Sequence, residues 1–168
     1  MGTIVKIALL SDTHGYLDDG IRRHFDWADE VWHAGDFGPG VADELDTLSK
    51  PVRGVWGNID PIPLRMRHPV VNQFEVEGVR VWMTHIGGYP GHYAPRVRAA
   101  LLETKPNVMI CGHSHILKAV SDPTIGLLHL NPGAAGKHGV HPVRTLLRFQ
   151  LAAGKVSELQ VVELGKRA

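Results

Sequence analysis

The sequence predicts an α/β protein with a mixed sheet, a more antiparallel sheet, and helices outside. Three observations carry this. In the first half, short apolar runs alternate with amphipathic segments, at spacings that leave room for the roughly dozen residues of a parallel crossover. In the second half, apolar runs face each other across turn dipeptides. A chain of 168 residues with 43% hydrophobic residues supports one domain spanning 1–168.

Ile4–Leu10 is a continuous apolar run with one Lys, the pattern of a strand buried on both faces. Asp18 and Asp19 are candidate N-caps. Ile21 and Phe25 follow at i, i+4, which predicts a helix over Asp19–Trp27. Glu30–His33 is a short strand. Val41, Leu45 and Leu48 form one helical face that stops before Pro51, and Val52–Trp56 is a third strand. Glu77-Gly78 joins Val70–Val76 to Val79–Met83 as a hairpin. Pro95 opens a helix with Val97 and Leu101 on one face, closed by Lys105-Pro106. Val108–Cys111 is another short strand. Asp122-Pro123 turns Lys118–Ser121 into Ile125–Leu130. Thr145, Leu147, Phe149 and Leu151 alternate with wetter positions, and Val156–Leu164 returns after Ala153-Gly154.

Composition narrows function. A net charge of +1 argues against a polyanion-binding surface, so no nucleic-acid partner is expected. The single cysteine, Cys111, excludes an intrachain disulfide and a cysteine-rich zinc site. Met1–Leu10 is too short and too soon acidic for a signal peptide. No run approaches the ~18 apolar residues of a membrane span, so a cytoplasmic protein without a membrane partner is expected. The unusual number is 11 histidines, the commonest metal ligand.

Several of those histidines are placed systematically. Five apolar strands run into Ser11-Asp12-Thr13-His14, His33-Ala34-Gly35-Asp36, Gly57-Asn58, Thr84-His85 and Gly112-His113-Ser114-His115. Any one of these is an ordinary turn. Five together, each just past a strand, form a pattern, because open α/β sheets bind ligands beyond the carboxyl ends of their strands. The donors are Asp12, His14, Asp36, Asn58, His85, His113 and His115. That is too many for one tetrahedral zinc. With Asp36 bridging, each of two ions receives four protein ligands, which suits the two-metal arrangement of phosphoryl displacement. Nitrogen and oxygen donors without thiolate favour manganese, iron, zinc, cobalt or nickel over calcium or magnesium, and do not choose among those five.

In this order and spacing the motifs resemble the calcineurin-like metallophosphoesterases, and Gly57-Asn58-Ile59-Asp60 in a short chain is most similar to their small prokaryotic phosphodiesterase branch. The resemblance implies a four-layer αββα sandwich of two mixed sheets. It implies one ion on Asp12, His14, Asp36 and His115 and another on Asp36, Asn58, His85 and His113. It also implies attack of a metal-bridging hydroxide on the phosphorus of a small phosphoester, with Asn58 and His85 catalytic as well as ligating. A homodimer is plausible for such a domain. The same fold also serves as a protein-interaction scaffold, and phosphomonoesters are an alternative substrate class.

Two positions depart from the family pattern. Ile59 stands where many relatives have a proton-donating histidine, and His92, in a long glycine-rich loop, is the first candidate for the missing acid. Asp60 is expected to orient Asn58 or its loop. The other histidines receive plainer readings. His33 should pack or hydrogen-bond behind the site, His24 and His68 should be solvated, and His129 should be a paired strand residue. Asn131-Pro132-Gly133 should shape a loop, and Lys137, His138 and His141 should lie on a surface loop. Cys111 should be a small buried residue at a strand end.

Overall fold

The computed structural model describes residues 2–167. Chain order is β1 (Val5–Leu10), α1 (Asp19–Trp27), β2 (Glu30–His33), α2 (Val41–Asp46), β3 (Val52–Gly54), α3 (Ile62–Arg65), β4 (Val71–Val76), β5 (Val79–Thr84), α4 (Pro95–Thr104), β6 (Val108–Ile110), β7 (Lys118–Asp122), β8 (Leu127–Asn131), β9 (Val143–Ala152) and β10 (Lys155–Lys166). These strands form two five-stranded sheets, ordered β10-β9-β1-β2-β3 and β4-β5-β6-β8-β7.

Strand periodicity explains the layering. On β1, Ile7 and Leu9 enter a core shared with Val81 and Met83 of β5, Val108 and Ile110 of β6, and Leu147 and Phe149 of β9. Their neighbours Ala8 and Leu10 face the other way, onto Ile21 and Phe25 of α1 and Val41 and Leu45 of α2. Trp82 and Met109 likewise leave the shared core and pack on Val97 and Leu101 of α4. Each central strand is therefore buried on both faces, and the order helix, sheet, sheet, helix follows. Trp32 spans the middle, edge-on to Phe74 of the second sheet at 4.9 Å and to Phe149 at 5.7 Å. Asp18 caps α1 by accepting from the Ile21 amide at 2.9 Å.

The structure changes three expectations and settles a fourth point. Both sheets are equally mixed. The first has β1–β2 and β2–β3 parallel with β1–β9 and β9–β10 antiparallel; the second has β5–β6 and β6–β8 parallel with β4–β5 and β7–β8 antiparallel. The sheet that receives the late hairpin, left open by the sequence, is the first, because β9 returns to pair with β1. β3 ends at Gly54, because the chain then leaves the sheet toward Asn58. The short α3 was not foreseen, since Pro61 and Pro63 hide a four-residue turn. No helix among the described residues is long and apolar enough to cross a membrane.

Candidate metal centre

The parallel strands β1, β2, β3, β5 and β6 release their chains at one edge of the sandwich. The Asp12 amide donates to Gly35 O at 2.9 Å and the His14 amide to Asp36 O at 3.1 Å, stitching the first two loops together. Asp12, His14 and His115 form one group of metal-capable side chains, and Asp36, His85 and His113 form another. His14 Nε2 lies 3.5 Å from Asp36 Oδ2, and His85 Nε2 lies 3.2 Å from the same oxygen. His115 Nε2 is 3.1 Å from Asp12 Oδ1. Asn58 joins through its Oδ1, 3.0 Å from His113 Nδ1. All seven predicted donors thus meet, with Asp36 between the groups.

The backbone is unusual here. Asp12, His14, Asp36, His113 and His115 have φ of 55°, 46°, 57°, 70° and 62°. Non-glycine residues adopt this left-handed region rarely and at a cost. The surrounding hydrogen bonds hold them there. Gly112 allows the last loop to close down, since a Cβ there would strike Ser11 Oγ and the Asp12 carboxylate.

The carboxylates are aimed from behind. Asp12 Oδ2 accepts from Ser11 Oγ at 2.5 Å and from the His113 amide at 3.1 Å, leaving Oδ1 toward the centre. Asp36 Oδ1 accepts from the Ile59 amide at 3.1 Å, leaving Oδ2 inward. His85 Nδ1 donates to Ala34 O at 2.7 Å, so Nε2 carries the lone pair. Buried His14 Nε2 and His85 Nε2 have no hydrogen-bond partner, although buried polar groups are nearly always paired. Two orphaned ring nitrogens facing two carboxylates fit divalent ions.

Burial opposes ionisation of Asp12, but the His115 and Ser11 hydrogen bonds and the nearby His14 and His85 rings hold its carboxyl well below the usual range. Burial likewise opposes the charge of Asp36, and His85 with the Ile59 amide outweighs it. The Asp12 carboxylate raises the pKa of His14. Burial lowers that of His85, but Asp36 and Asp12 prevail and raise it. Both acids are therefore charged, and protons compete with metal for both imidazoles.

Supporting residues complete the frame. Asp60, 1% exposed, accepts from the amides of Gly57 at 2.8 Å, Gly38 at 3.1 Å and Phe37 at 3.2 Å, tying the loops after β2 and β3. His33 is fully buried. Its Nδ1 accepts from the Gly35 amide at 3.1 Å, and its Nε2 lies 3.0 Å from Thr13 Oγ1, which itself donates to Phe37 O. Burial pushes its pKa down to about 3, so the ring is neutral. The Asn131 amide donates to Gly112 O and Ser114 Oγ, both at 3.1 Å, and clamps the His113–His115 loop.

Other assignments move. His92 is in neither group; it is exposed, its ring tilted against Tyr89 at 4.7 Å. His24 is not solvated: it is 9% exposed, with burial lowering its pKa. His68 is half-buried and stacks on Phe37 at 4.9 Å. His129 and Cys111 are 1% exposed, as a paired strand residue and a strand-end thiol should be. His138 sits on an exposed loop, yet its ring stacks on His14 at 4.8 Å. That loop is tied down by Arg167, which donates to Gly136 O and His141 O, each at 2.6 Å. Nothing local in the sequence announces this clamp.

Comparison with known proteins agrees with the geometry. The model of the calcineurin-like phosphoesterase superfamily domain matches residues 5–154. A probable metallophosphoesterase from Methanothermobacter thermautotrophicus is 32% identical over 141 residues, covering 76% of each chain. The solved structure of an archaeal phosphodiesterase superposes with TM-score 0.73 at 22% identity, covering 94% of this chain and 99% of that one. Vacuolar protein sorting 29 from Cryptosporidium parvum superposes with TM-score 0.65 at 18% identity, covering 96% and 97%. At these identities the two structures speak for the fold alone.

Proposed function

The chain belongs to the calcineurin-like phosphoesterase superfamily, and from that premise we propose that it hydrolyses a small phosphodiester with two divalent ions. The observation that carries this reading is the Asp36 carboxylate between two ligand groups, with the unpartnered His14 and His85 nitrogens beside it. Bound there, two cations would activate water and neutralise phosphate oxygens. Asp12, His14 and His115 would hold one ion, and Asn58, His85 and His113 the other, with Asp36 available to both. Asp60 and Asn131 keep the loops from shifting. Manganese is the first metal to try among the divalent ions that imidazole and carboxylate donors suit.

Exposure rises across the site, from buried Asp12, Asp36 and His85 to exposed Asn58 and His113. Substrate therefore enters from the Asn58–His113 side. Ile59, 45% exposed beside Asn58, offers no proton, so this reading suits an ester whose alcohol leaves readily. A scaffold function is favoured by one observation: Ile59, Ile62 and Met66 are 45%, 72% and 82% exposed close together in the chain. Hydrolysis of bis(p-nitrophenyl) phosphate by manganese-loaded chain, abolished by chelator and faster than hydrolysis of p-nitrophenyl phosphate, supports the diesterase. The opposite preference makes the chain a monoesterase. No hydrolysis of either ester under metal-replete conditions leaves the scaffold.

A further inference from the structure

A cleft of about 460 Å³ is lined by His113 and its neighbours. Gly112 and His113 bring the edge of the candidate metal centre into its lining. Ile86 and Tyr89, after β5, and Ile116 and Lys118, at the approach to and start of β7, also line it. Ile86, Tyr89 and Ile116 are 52%, 46% and 55% exposed. Three large apolar side chains thus line one cleft that includes His113 of the candidate metal centre. Solvent-exposed apolar residues scattered singly need no explanation, but a concave group of them with polar groups at one end is the usual form of a ligand site.

The cleft is also shaped and fixed. Lys118 Nζ lies 4.6 Å from the Tyr89 ring centroid, joining the segment after β5 to the start of β7. The His92 ring, 4.7 Å from that of Tyr89, steadies the same side chain. Gly87 and Gly88 line the cleft without side chains, so bare backbone stands there. At the base, His129 Nδ1 faces the Tyr93 hydroxyl at 3.3 Å and the Asn131 amide is engaged with Gly112 and Ser114. These polar groups are already committed. Selection in the cleft must therefore come from apolar contact and flatness.

We propose that the cleft holds an aromatic ester arm of the substrate, with phosphorus at the adjoining metal centre, and that Ile86, Tyr89 and Ile116 set the preference for it. This rests on the phosphoesterase reading and names the class of ester it takes. A flat ring fits between a tyrosine face and bare backbone better than a flexible chain does, and its burial adds affinity beyond that of the phosphoryl group.

Calorimetric titration of manganese-loaded chain with phenylphosphonate, n-butylphosphonate and methylphosphonate tests it. Phenylphosphonate should bind about tenfold tighter than methylphosphonate, as partial burial of one ring supplies, and tighter than the butyl compound. In the diamagnetic zinc-loaded chain, amide shifts specific to the phenyl compound should centre on residues 86–89 and 114–118. Ile116→Asp and Tyr89→Ala should each bring the phenyl-to-methyl ratio toward one. Equal binding of phenyl and methyl compounds, equal binding of phenyl and butyl, or a preference surviving in both variants would overturn the aromatic cleft and leave the phosphoesterase reading intact. Failure of all three phosphonates to bind would overturn both.

Discussion

Two sets of residues share one strained backbone conformation. Asp12, His14, Asp36, His113 and His115 adopt it at the metal centre, whereas Glu77, Lys105, Ala153 and Glu158 adopt it elsewhere. In the second set the chain's path explains the conformation. Glu77 and Ala153 turn hairpins, Lys105 ends α4, and Glu158 lies in a register shift between β9 and β10. The first set is held by bonds between loops, and its side chains converge on unpartnered nitrogens. Positive φ at a turn serves the chain; positive φ at the centre serves the ligands.

The comparison breaks most sharply at Asp36. Asp36→Asn should remove the shared carboxylate, lower metal content at both groups, and reduce phosphodiester hydrolysis about a thousandfold, since two-metal charge stabilisation contributes several kcal/mol. Metal analysis and initial rates check this. Retention of both metal content and rate would show that Asp36 does not link the groups.

Asp60→Ala comes next. It leaves three buried amides without an acceptor, and should destabilise the metal-free chain by about 3 kcal/mol in urea unfolding. Metal affinity should fall roughly 10–100-fold, as is usual when a group supporting ligands is lost. Unchanged affinity would confine Asp60 to folding.

Acidity acts through the two orphaned imidazoles. The pKa values of His14 and His85 are raised above 6.5 in the metal-free fold. Below those values protons occupy the ligand nitrogens, and they also stabilise the metal-free fold. As pH rises through them, that stabilisation is lost and metal meets free nitrogens. The gain in Tm on adding Mn²⁺ should therefore grow between about pH 6 and pH 8. A gain that is flat or shrinks over this range contradicts the sign.

The smallest effect tests the other side of the contrast. Ala153→Gly removes the Cβ from a left-handed turn and should raise stability by up to about 1 kcal/mol with metal content unchanged. His113→Gly relieves the same conformation but should cost metal. Equal metal content in the two variants would erase the distinction between turn and centre.

The convergence of these seven side chains was legible because each follows an apolar strand, and parallel pairing brings strand ends together without further information. Asp60 was legible as a support beside Asn58, though its three amide partners lie on two loops and emerge only in the fold. His138 and Arg167 were not legible, because their partners are distant and no periodicity links a loop histidine to a strand-end one. His24 misled because a histidine beside two arginines on a helix looks wet, whereas its face turns toward Arg148 of β9, 3.3 Å away. His92 misled because proximity in sequence to His85 does not bring it to the ligands.

The central claim is a pair of ions sharing Asp36. Anomalous diffraction from crystals of the chain grown with excess Mn²⁺ tests it directly. Two peaks are predicted, one within the Asp12, His14 and His115 group and one within the Asp36, Asn58, His85 and His113 group, with Asp36 contacting both. A single peak, or none, at saturating metal would contradict the account.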